Sequence, residues 1–249
     1  MGKLTLGSRM KEYENANKAF LTKRMPIIIR IDGRAFHSFT RGFKKPFDNY
    51  LMGCMWQTAQ DLCANIEGCK IAYTQSDEIS LFLNNYESLE TSAWFNNNIQ
   101  KIASISASMA TLYFNNAFNE MCKNMNDGVI YKRKLGTAMF DARAFVLPKE
   151  EVCNYFIWRQ QDAMRNSVQM VGQANFSHKQ LQGKNCENIK NMLKDIGVDY
   201  DNFTPCQKYG ACIIKERYEI DNGVIRNRWI TDLETPIFTE NREYIEKYI

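Results

Sequence analysis

The order of the predicted strands and helices in the first 148 residues is the feature that most limits how this chain can fold. Hydrophobic periodicity and turn residues predict strand 27–31, helix 49–67, strands 70–74 and 79–83, helix 93–118 and strand 136–147. This β-α-β-β-α-β order is the split βαβ, or ferredoxin-like, motif. In that motif the helices cover one face of an antiparallel sheet, so the sequence predicts an α+β fold.

The remaining residues predict a helical region followed by a second β-hairpin. Helices are expected over 149–170 and 185–196, and strands 211–220 and 224–230 flank an Asp-Asn-Gly turn at 221–223. We therefore expect a first domain over 1–148. A helical and hairpin region over 149–249 would pack on it, or the two would form one integrated domain.

The distribution of charge along the chain says more about a possible ligand than the net charge does. The net charge is only +4, but residues 1–45 carry eleven bases and three acids. A basic segment on a neutral-to-acidic body suggests a ligand that bears phosphate groups. An ordinary solvated charged surface would give the same pattern, so charge alone does not decide between them.

The sequence favours a soluble cytoplasmic protein without a membrane partner. No apolar run approaches the roughly 20 residues that a membrane span needs, and the first ten residues lack the apolar core of a signal peptide. The eight cysteines form no CxxC pair and the chain has two histidines, which argues against a structural zinc site. Free buried thiols are the expectation.

Three carboxylates are expected to meet at one edge of the predicted sheet. Asp32 ends the first strand, while Asp77 and Glu78 lie in the turn of the central hairpin. Clustered carboxylates repel one another unless a cation is present, and oxygen ligands with open water positions suit Mg²⁺. Two such ions about 4 Å apart activate an attacking hydroxyl and stabilise a leaving pyrophosphate. Gly33, which lacks a Cβ, would let the backbone approach a metal or a phosphate.

Basic side chains surround these carboxylates in the sequence. Arg34, Lys44 and Lys45 follow the first strand, Lys101 lies on the second long helix, and Arg143 lies on the fourth strand. Their expected role is to hold a triphosphate, although each one alone could be a solvated surface residue. His37 is equally compatible with a phosphate or hydroxyl contact and with simple loop packing.

The helix that begins at Lys149 carries a polar stripe. Trp158, Asp162, Arg165 and Gln169 recur at helical spacing, so one face could meet an RNA end. Tryptophan would stack on a base, and arginines such as Arg159 and Arg165 would contact phosphates. Alternatively, Trp158 belongs to the core of a solvated helix, and periodicity does not separate the two.

Five segments resemble, in the same order, motifs of the tRNA(His) guanylyltransferase family. They are residues 30–37 (RIDGRAFH), 45–48 (KPFD), 72–80 (AYTQSDEIS), 140–143 (FDAR) and 158–162 (WRQQD). Several separate motifs in the right order are far more specific than a lone glycine pattern. The resemblance extends from about Tyr13 to the final hairpin, and it implies a polymerase-like palm of the ferredoxin type over 1–148.

The resemblance also implies roles for individual residues. Asp32 and Asp77 would bind two Mg²⁺ ions, with the Gly33 carbonyl as a further ligand, and Glu78 would be a catalytic carboxylate that binds metal or supports a ligand. The nucleotide site would comprise Asp32, Gly33, Arg34, Ala35, Phe36, His37, Lys45, Asp48, Ser76 and Asp77, with Lys101 and Arg143 on triphosphates. His37, Lys45, Asp48 and Asn166 would serve activation of the RNA 5′ end.

The implied reaction adds nucleotides to the 5′ end of tRNA in the 3′–5′ direction, with GTP and ATP as substrates. Eukaryotic members carry His-Ile-Asn-Asn where this chain has Met-Arg-Asn-Ser at 164–167, and segments 175–179 and 183–185 resemble the bacterial and archaeal branch. That branch favours template-dependent repair of 5′-truncated tRNAs. The resemblance implies a homotetramer, a dimer of dimers.

Three other functions stay open on the sequence. The first is addition of one guanosine to tRNA(His). The second is a nucleotidyl cyclase, which also uses two metals on such a palm but ignores RNA. The third is a catalytically silent RNA-binding protein. The intact carboxylates at 32, 77 and 78 argue against silence, since an idle site gains nothing from crowded anions.

Overall fold

The computed structural model describes residues 4–125, 128–220 and 223–249. The strands are β1 Ile27–Gly33, β2 Cys69–Gln75, β3 Glu78–Leu83, β4 Phe140–Val146, β5 Ala211–Ile220 and β6 Val224–Asp232. The α-helices are α1 Leu6–Ala16, α2 Phe36–Phe39, α3 Asn49–Asn65, α4 Ile99–Lys123, α5 Val129–Lys132, α6 Lys149–Asn175, α7 His178–Leu181, α8 Cys186–Asp195, α9 Pro205–Tyr209 and α10 Glu243–Glu246. Short 3₁₀ turns occupy Trp94–Asn97 and Tyr200–Asn202.

Within the described ranges, the strands form one sheet in the order β4-β1-β3-β2-β5-β6, and all neighbours are antiparallel. The predicted combination of helices with an antiparallel sheet is therefore confirmed. The second hairpin, predicted within the region 149–249, extends the same sheet, because β5 pairs with β2. The predicted turn residues Asp221 and Asn222 lie outside the described residues.

The sheet is covered on both faces. Alternate residues of β1 point to opposite sides, so Ile27, Ile29 and Ile31 join the core beneath α3 and α4, while Ile28 joins the core beneath α6. A strand that is buried on both faces is expected to be apolar at nearly every position, as β1 is. The sequence predicted helices on one face only, because it left the position of α6 undetermined.

Several element ends differ from the predictions for local reasons. Helix α3 begins at Asn49, as predicted, because the Asp48 carboxylate caps it by accepting the Leu51 amide at 3.0 Å. Helix α4 begins six residues later than predicted, because Asn98 caps it and the preceding 3₁₀ turn contains left-handed residues. Helix α6 continues to Asn175, and β4 begins only at Phe140.

Helix α1 was not predicted, and none of its residues is buried. It begins where Thr5 caps the Ser8 amide. Among the residues that the structure describes, no helix is long and apolar enough to cross a membrane. All eight cysteines are free thiols, and they are buried except Cys186 and Cys206, which are half-buried.

Candidate active site

A row of carboxylates crosses the end of three strands on the face that α6 covers. Asp32 of β1 lies opposite Glu78 of β3 on one side and opposite Asp141 of β4 on the other. Asp77 precedes Glu78 in the hairpin turn, and its carbonyl accepts the Gly33 amide at 3.0 Å. The topology thus brings together the segments around residues 32 and 77. Asp141 was not predicted as a site residue, although it lies in the FDAR motif.

Asp77 is held in a strained and partly desolvated turn. Ser76 adopts a left-handed φ of 51°, and its hydroxyl donates to the Asp77 carboxylate at 3.0 Å. Burial raises the pKa of the Asp77 carboxyl above its ordinary value, and the negative charge of Asp32 adds to this effect, while the Ser76 hydrogen bond opposes it. The Asp32 carboxylate has no hydrogen-bond partner among the described residues.

This donor set fits a hard divalent cation in part. Among the described residues, no group of three His, Cys, Asp or Glu side chains is arranged to hold a metal ion. Two carboxylates and a backbone carbonyl are oxygen ligands that leave positions for water, which Mg²⁺ prefers. Burial is the main cause that raises the pKa of Asp77, and the additional repulsion from the Asp32 charge is the kind that such a cation relieves. Asp32, Asp77 and the Gly33 carbonyl are therefore the residues that could hold it.

Gly33 has a packing role that the sequence did not predict. A Cβ built on Gly33 would lie 2.3 Å from the ring of Phe36, far inside van der Waals contact. Phe36 itself is buried in an aromatic cluster with Phe39, Phe114 and Phe140. The side chain of Phe36, predicted in the nucleotide site, is therefore part of the core that supports the loop after β1.

Glu78 and Arg159 form a buried ion pair. The Arg159 guanidinium donates from Nε and Nη2 to the two carboxylate oxygens of Glu78 at 2.6 and 2.7 Å, and both side chains are under 10% exposed. Arg159 also donates to Asp162 at 3.0 Å. This corrects the prediction that Arg159 contacts RNA, because its charge is used inside the protein. The Glu78 carboxylate is correspondingly occupied in fixing α6 to the sheet.

A cavity of about 650 Å³ opens beside Asp77. The loop between β1 and α3 forms most of its wall, and the predicted residues on it are Gly33, Ala35, Phe36, His37, Lys44, Lys45, Asp48, Ser76 and Asp77. His37 and Lys45 are exposed, as a ligand contact requires. Asp48 is buried, and its carboxylate accepts the Lys44 and Leu51 amides and the Tyr131 hydroxyl.

The other predicted basic residues are not part of this cavity. Arg34 is exposed and lies against Met139. Arg143 is exposed on β4, opposite Arg30, and its guanidinium is 3.4 Å from the Asp141 carboxylate. Lys101 lies in the first turn of α4, and the chain reaches this helix from Leu83, the end of β3 opposite to Glu78. Lys101 is therefore at the far end of the sheet from the carboxylates, so a single copy of the chain does not bring Lys101 close to them.

A second cavity, of about 370 Å³, lies between the carboxylates and α6. Asn166 lines it, and its amide donates to the Asp162 carboxylate at 3.3 Å. Asn166 and Asp48 also line a small cavity of about 80 Å³ together with Ser76, so these predicted activation residues lie close to one another. Gln169, Met170 and Gln173 also line the second cavity, and of these only Gln169 belonged to a predicted surface, the polar stripe that could meet an RNA end.

Trp158 is on the surface rather than in the core. Its side chain is 51% exposed, and its ring meets that of Tyr155 edge-on with the Arg159 guanidinium 4.5 Å from its centroid. Arg165 is exposed and pairs with Asp162. These two predicted RNA contacts are accessible on α6, whereas Arg159 is not.

Comparison with known proteins places this site in a family. A sequence model described as tRNAHis guanylyltransferase (Thg1) matches residues 7–148. The chain belongs to this family. The tRNA(His) guanylyltransferase of Debaryomyces hansenii is 28% identical over 221 residues, which cover 83% of this chain and 79% of that enzyme. The resemblance inferred from the motifs is confirmed, and the chain is a nucleotidyltransferase of the tRNA(His) guanylyltransferase type.

Solved structures of Thg1-like proteins have the same fold along nearly the whole chain. A bacterial Thg1-like protein in complex with ATP is 48% identical, with a TM-score of 0.88, and the match covers 98% of this chain and 99% of that one. A bacterial Thg1-like protein in complex with GTP is 46% identical, with a TM-score of 0.79 and 98% coverage of both chains. Those bacterial structures hold the two nucleotides that the motifs imply as substrates.

Proposed function

We propose that this protein is a Mg²⁺-dependent 3′–5′ nucleotidyltransferase that repairs the 5′ ends of truncated tRNAs, using ATP and GTP. One observation carries the proposal. Ser76 and Asp77 line both the cavity walled by the basic loop and the cavity beneath α6, and Asp32 lines the second. A reacting 5′ end and a triphosphate could meet at that junction. The antiparallel strand order β4-β1-β3-β2 and the bacterial complexes with ATP and GTP support it.

Asp32, Asp77 and the Gly33 carbonyl would hold two Mg²⁺ ions. When bound, these ions would lower the pKa of an attacking hydroxyl and neutralise charge on the leaving group. The Arg159–Glu78 pair keeps the β3 end and α6 in fixed relation, so that Asp77 stays where the two cavities meet. Lys45 and His37 are placed to contact phosphates in the first cavity.

The reaction has two steps when the RNA carries a 5′-monophosphate. The 5′-phosphate attacks the α-phosphorus of ATP and releases pyrophosphate, and His37, Lys45, Asp48 and Asn166 would serve this activation. The 3′-hydroxyl of GTP then attacks the 5′-phosphorus and releases AMP. A 5′-triphosphate end needs no activation, because pyrophosphate is already the leaving group.

The test uses tRNA that lacks its first nucleotide and carries a labelled 5′-monophosphate, with ATP, GTP and Mg²⁺. Extension that stops when the acceptor stem is fully paired is expected. Extension past the stem by guanosine would support the tRNA(His) role instead. Cyclic nucleotide formed from GTP without RNA would identify a cyclase, and tRNA binding without any chemistry would identify a silent RNA-binding protein.

Asp77→Ala is the decisive variant for the carboxylate assignment. We expect it to abolish extension while far-UV circular dichroism stays unchanged. Asp61→Ala is the matched control, because Asp61 is also a partly buried acid but lies on α3, outside the cavities beside Asp77. Full activity of Asp77→Ala would overturn the assignment of the metal ligands.

Trp158→Ala tests the RNA surface on α6. Because Trp158 is exposed, we expect a higher KM for tRNA with little change in the KM for GTP or in the unfolding temperature.

We further propose that the enzyme assembles as a homotetramer, a dimer of dimers, and acts in the cytoplasm, where its free cysteines stay reduced.

A further inference from the structure

The C-terminal half of α6 presents a run of uncharged polar groups to the cavity of about 370 Å³ beneath it. Asn166, Gln169 and Gln173 recur every three or four residues, so they lie on one face of the helix, with Met170 beside them. All four line this cavity, and its opposite side carries Asp32 and Asp77. We call these four α6 residues the amide wall.

The amides of this wall are largely unused within the protein. The side chains of Gln169 and Gln173 make no hydrogen bond to any residue that the structure describes, and Asn166 donates only to Asp162. Gln160, on the same helix, differs completely. Its amide donates to the Pro236 carbonyl at 2.8 Å and accepts the Phe238 amide at 2.7 Å, so it is a structural glutamine.

The amide wall itself carries no positive charge that would bind a phosphate. The nearest buried cation, Arg159, is bonded to Glu78 and Asp162, so it has no free charge to offer an anion. The loop at 34–45, with the exposed Lys44 and Lys45, supplies the basic surface of the neighbouring cavity, which Met170 and Gln173 also line. Each free amide offers both a donor and an acceptor, which is the chemistry that recognises base edges and hydroxyls.

We propose that the amide wall binds the neutral part of a nucleoside, through the base edge or the ribose hydroxyls, and so positions that nucleoside over Asp32 and Asp77. Met170 supplies an apolar surface against which a base can pack. The inference rests on the proposed function. The nucleoside has two possible sources, the incoming triphosphate and the 5′-terminal nucleotide of the tRNA, and both present the same chemistry.

The test compares Gln169→Met and Gln173→Met with Gln161→Met. Methionine keeps the length of glutamine and removes its hydrogen bonds. Gln161 is an exposed glutamine of α6 that lines none of the cavities at the site, so it controls for the substitution itself. Extension is measured on truncated tRNA with a 5′-triphosphate end, which bypasses activation, and unfolding temperatures confirm that each variant is folded.

We expect each wall variant to lower kcat/KM by about 3- to 10-fold, the size of one lost neutral hydrogen bond, and Gln161→Met to leave it unchanged. If the wall binds the incoming nucleotide, the KM for GTP rises and discrimination against 2′-deoxy-GTP or ITP falls. If it binds the RNA end, the KM for tRNA rises instead. In both cases, inhibition by inorganic tripolyphosphate, which presents phosphates alone, is unchanged.

Two results would overturn the inference. One is wall variants that match Gln161→Met in every kinetic constant. The other is an equal loss of tripolyphosphate inhibition, which would mean that the wall acts on phosphates or on the fold. An inactive wild-type enzyme would contradict the proposed function itself, whereas an active wild type with unaffected wall variants would contradict only this inference.

Discussion

The ion pair between Glu78 and Arg159 provides the sharpest test of how this site is held together. Arg159→Met keeps most of the volume of the side chain but leaves the Glu78 carboxylate buried without its bidentate partner. Removing one member of a buried pair costs about 3–5 kcal/mol. Arg30 Nε still lies 4.0 Å from the Glu78 carboxylate and offsets part of its charge, so the loss should be nearer the lower end of that range. For a chain of this length, the whole range corresponds to a fall in unfolding temperature of roughly 6–20 °C.

Arg165→Met is the matched control for this experiment. Arg165 lies on the same helix and pairs with Asp162, which also accepts from Arg159, but the Arg165 side chain is 65% exposed. An exposed pair contributes at most about 1 kcal/mol, so the control should lose only a few degrees. Urea and thermal unfolding, followed by circular dichroism, measure both variants.

The double variant Glu78→Met with Arg159→Met separates the charge effect from packing. Replacing a buried pair by apolar groups is often nearly neutral, so the double variant should be more stable than Arg159→Met alone. The reasoning would be refuted if Arg159→Met were no more destabilising than Arg165→Met, or if the double variant were no more stable than Arg159→Met alone.

Two further predictions concern the sheet and the core beneath α6. Gly210→Ala should lower the free energy of unfolding, measured in urea, by at least about 2 kcal/mol, because φ is +77° and the new Cβ would lie 2.6 Å from the Tyr73 hydroxyl. Gly197→Ala is the control: its φ is +80° but the space around it is open, so it should cost only about 1 kcal/mol. Burial raises the pKa of Tyr155 to about 12. The unfolded phenol ionises near 10, so stability should fall between about pH 10 and pH 12, and Tyr155→Phe should reduce that fall.

Local sequence patterns were sufficient to predict the elements that carry Asp32, Asp48 and Asp77. The isoleucine run of β1, the Asp48 cap of α3 and the polar turn at 76–78 depend on residues that are neighbours in sequence, so their periodicity and turn chemistry predict them. The expected meeting of residues 32 and 77 followed from the order of elements, because that order dictates which strands are neighbours.

The tertiary structure alone decided which side chains share a surface. Arg159 reaches Glu78 across 81 residues of sequence, Asp141 lies opposite Asp32 only through the register of β4, and Lys101 is carried to the far end of the sheet by the direction of α4. Helical spacing placed Trp158 and Gln169 on one stripe of α6 but could not tell which part of it faces solvent.

The sequence by itself determined the element order, the strand-end carboxylates and the family, since each depends on local residue patterns. The packing of α6 across the sheet decided that Arg159 is buried in a salt bridge and that Gln169 and Gln173 face the carboxylates. Periodicity specifies the faces of a helix, whereas the choice of the face that packs depends on burial and charge pairing summed over residues distant in the chain.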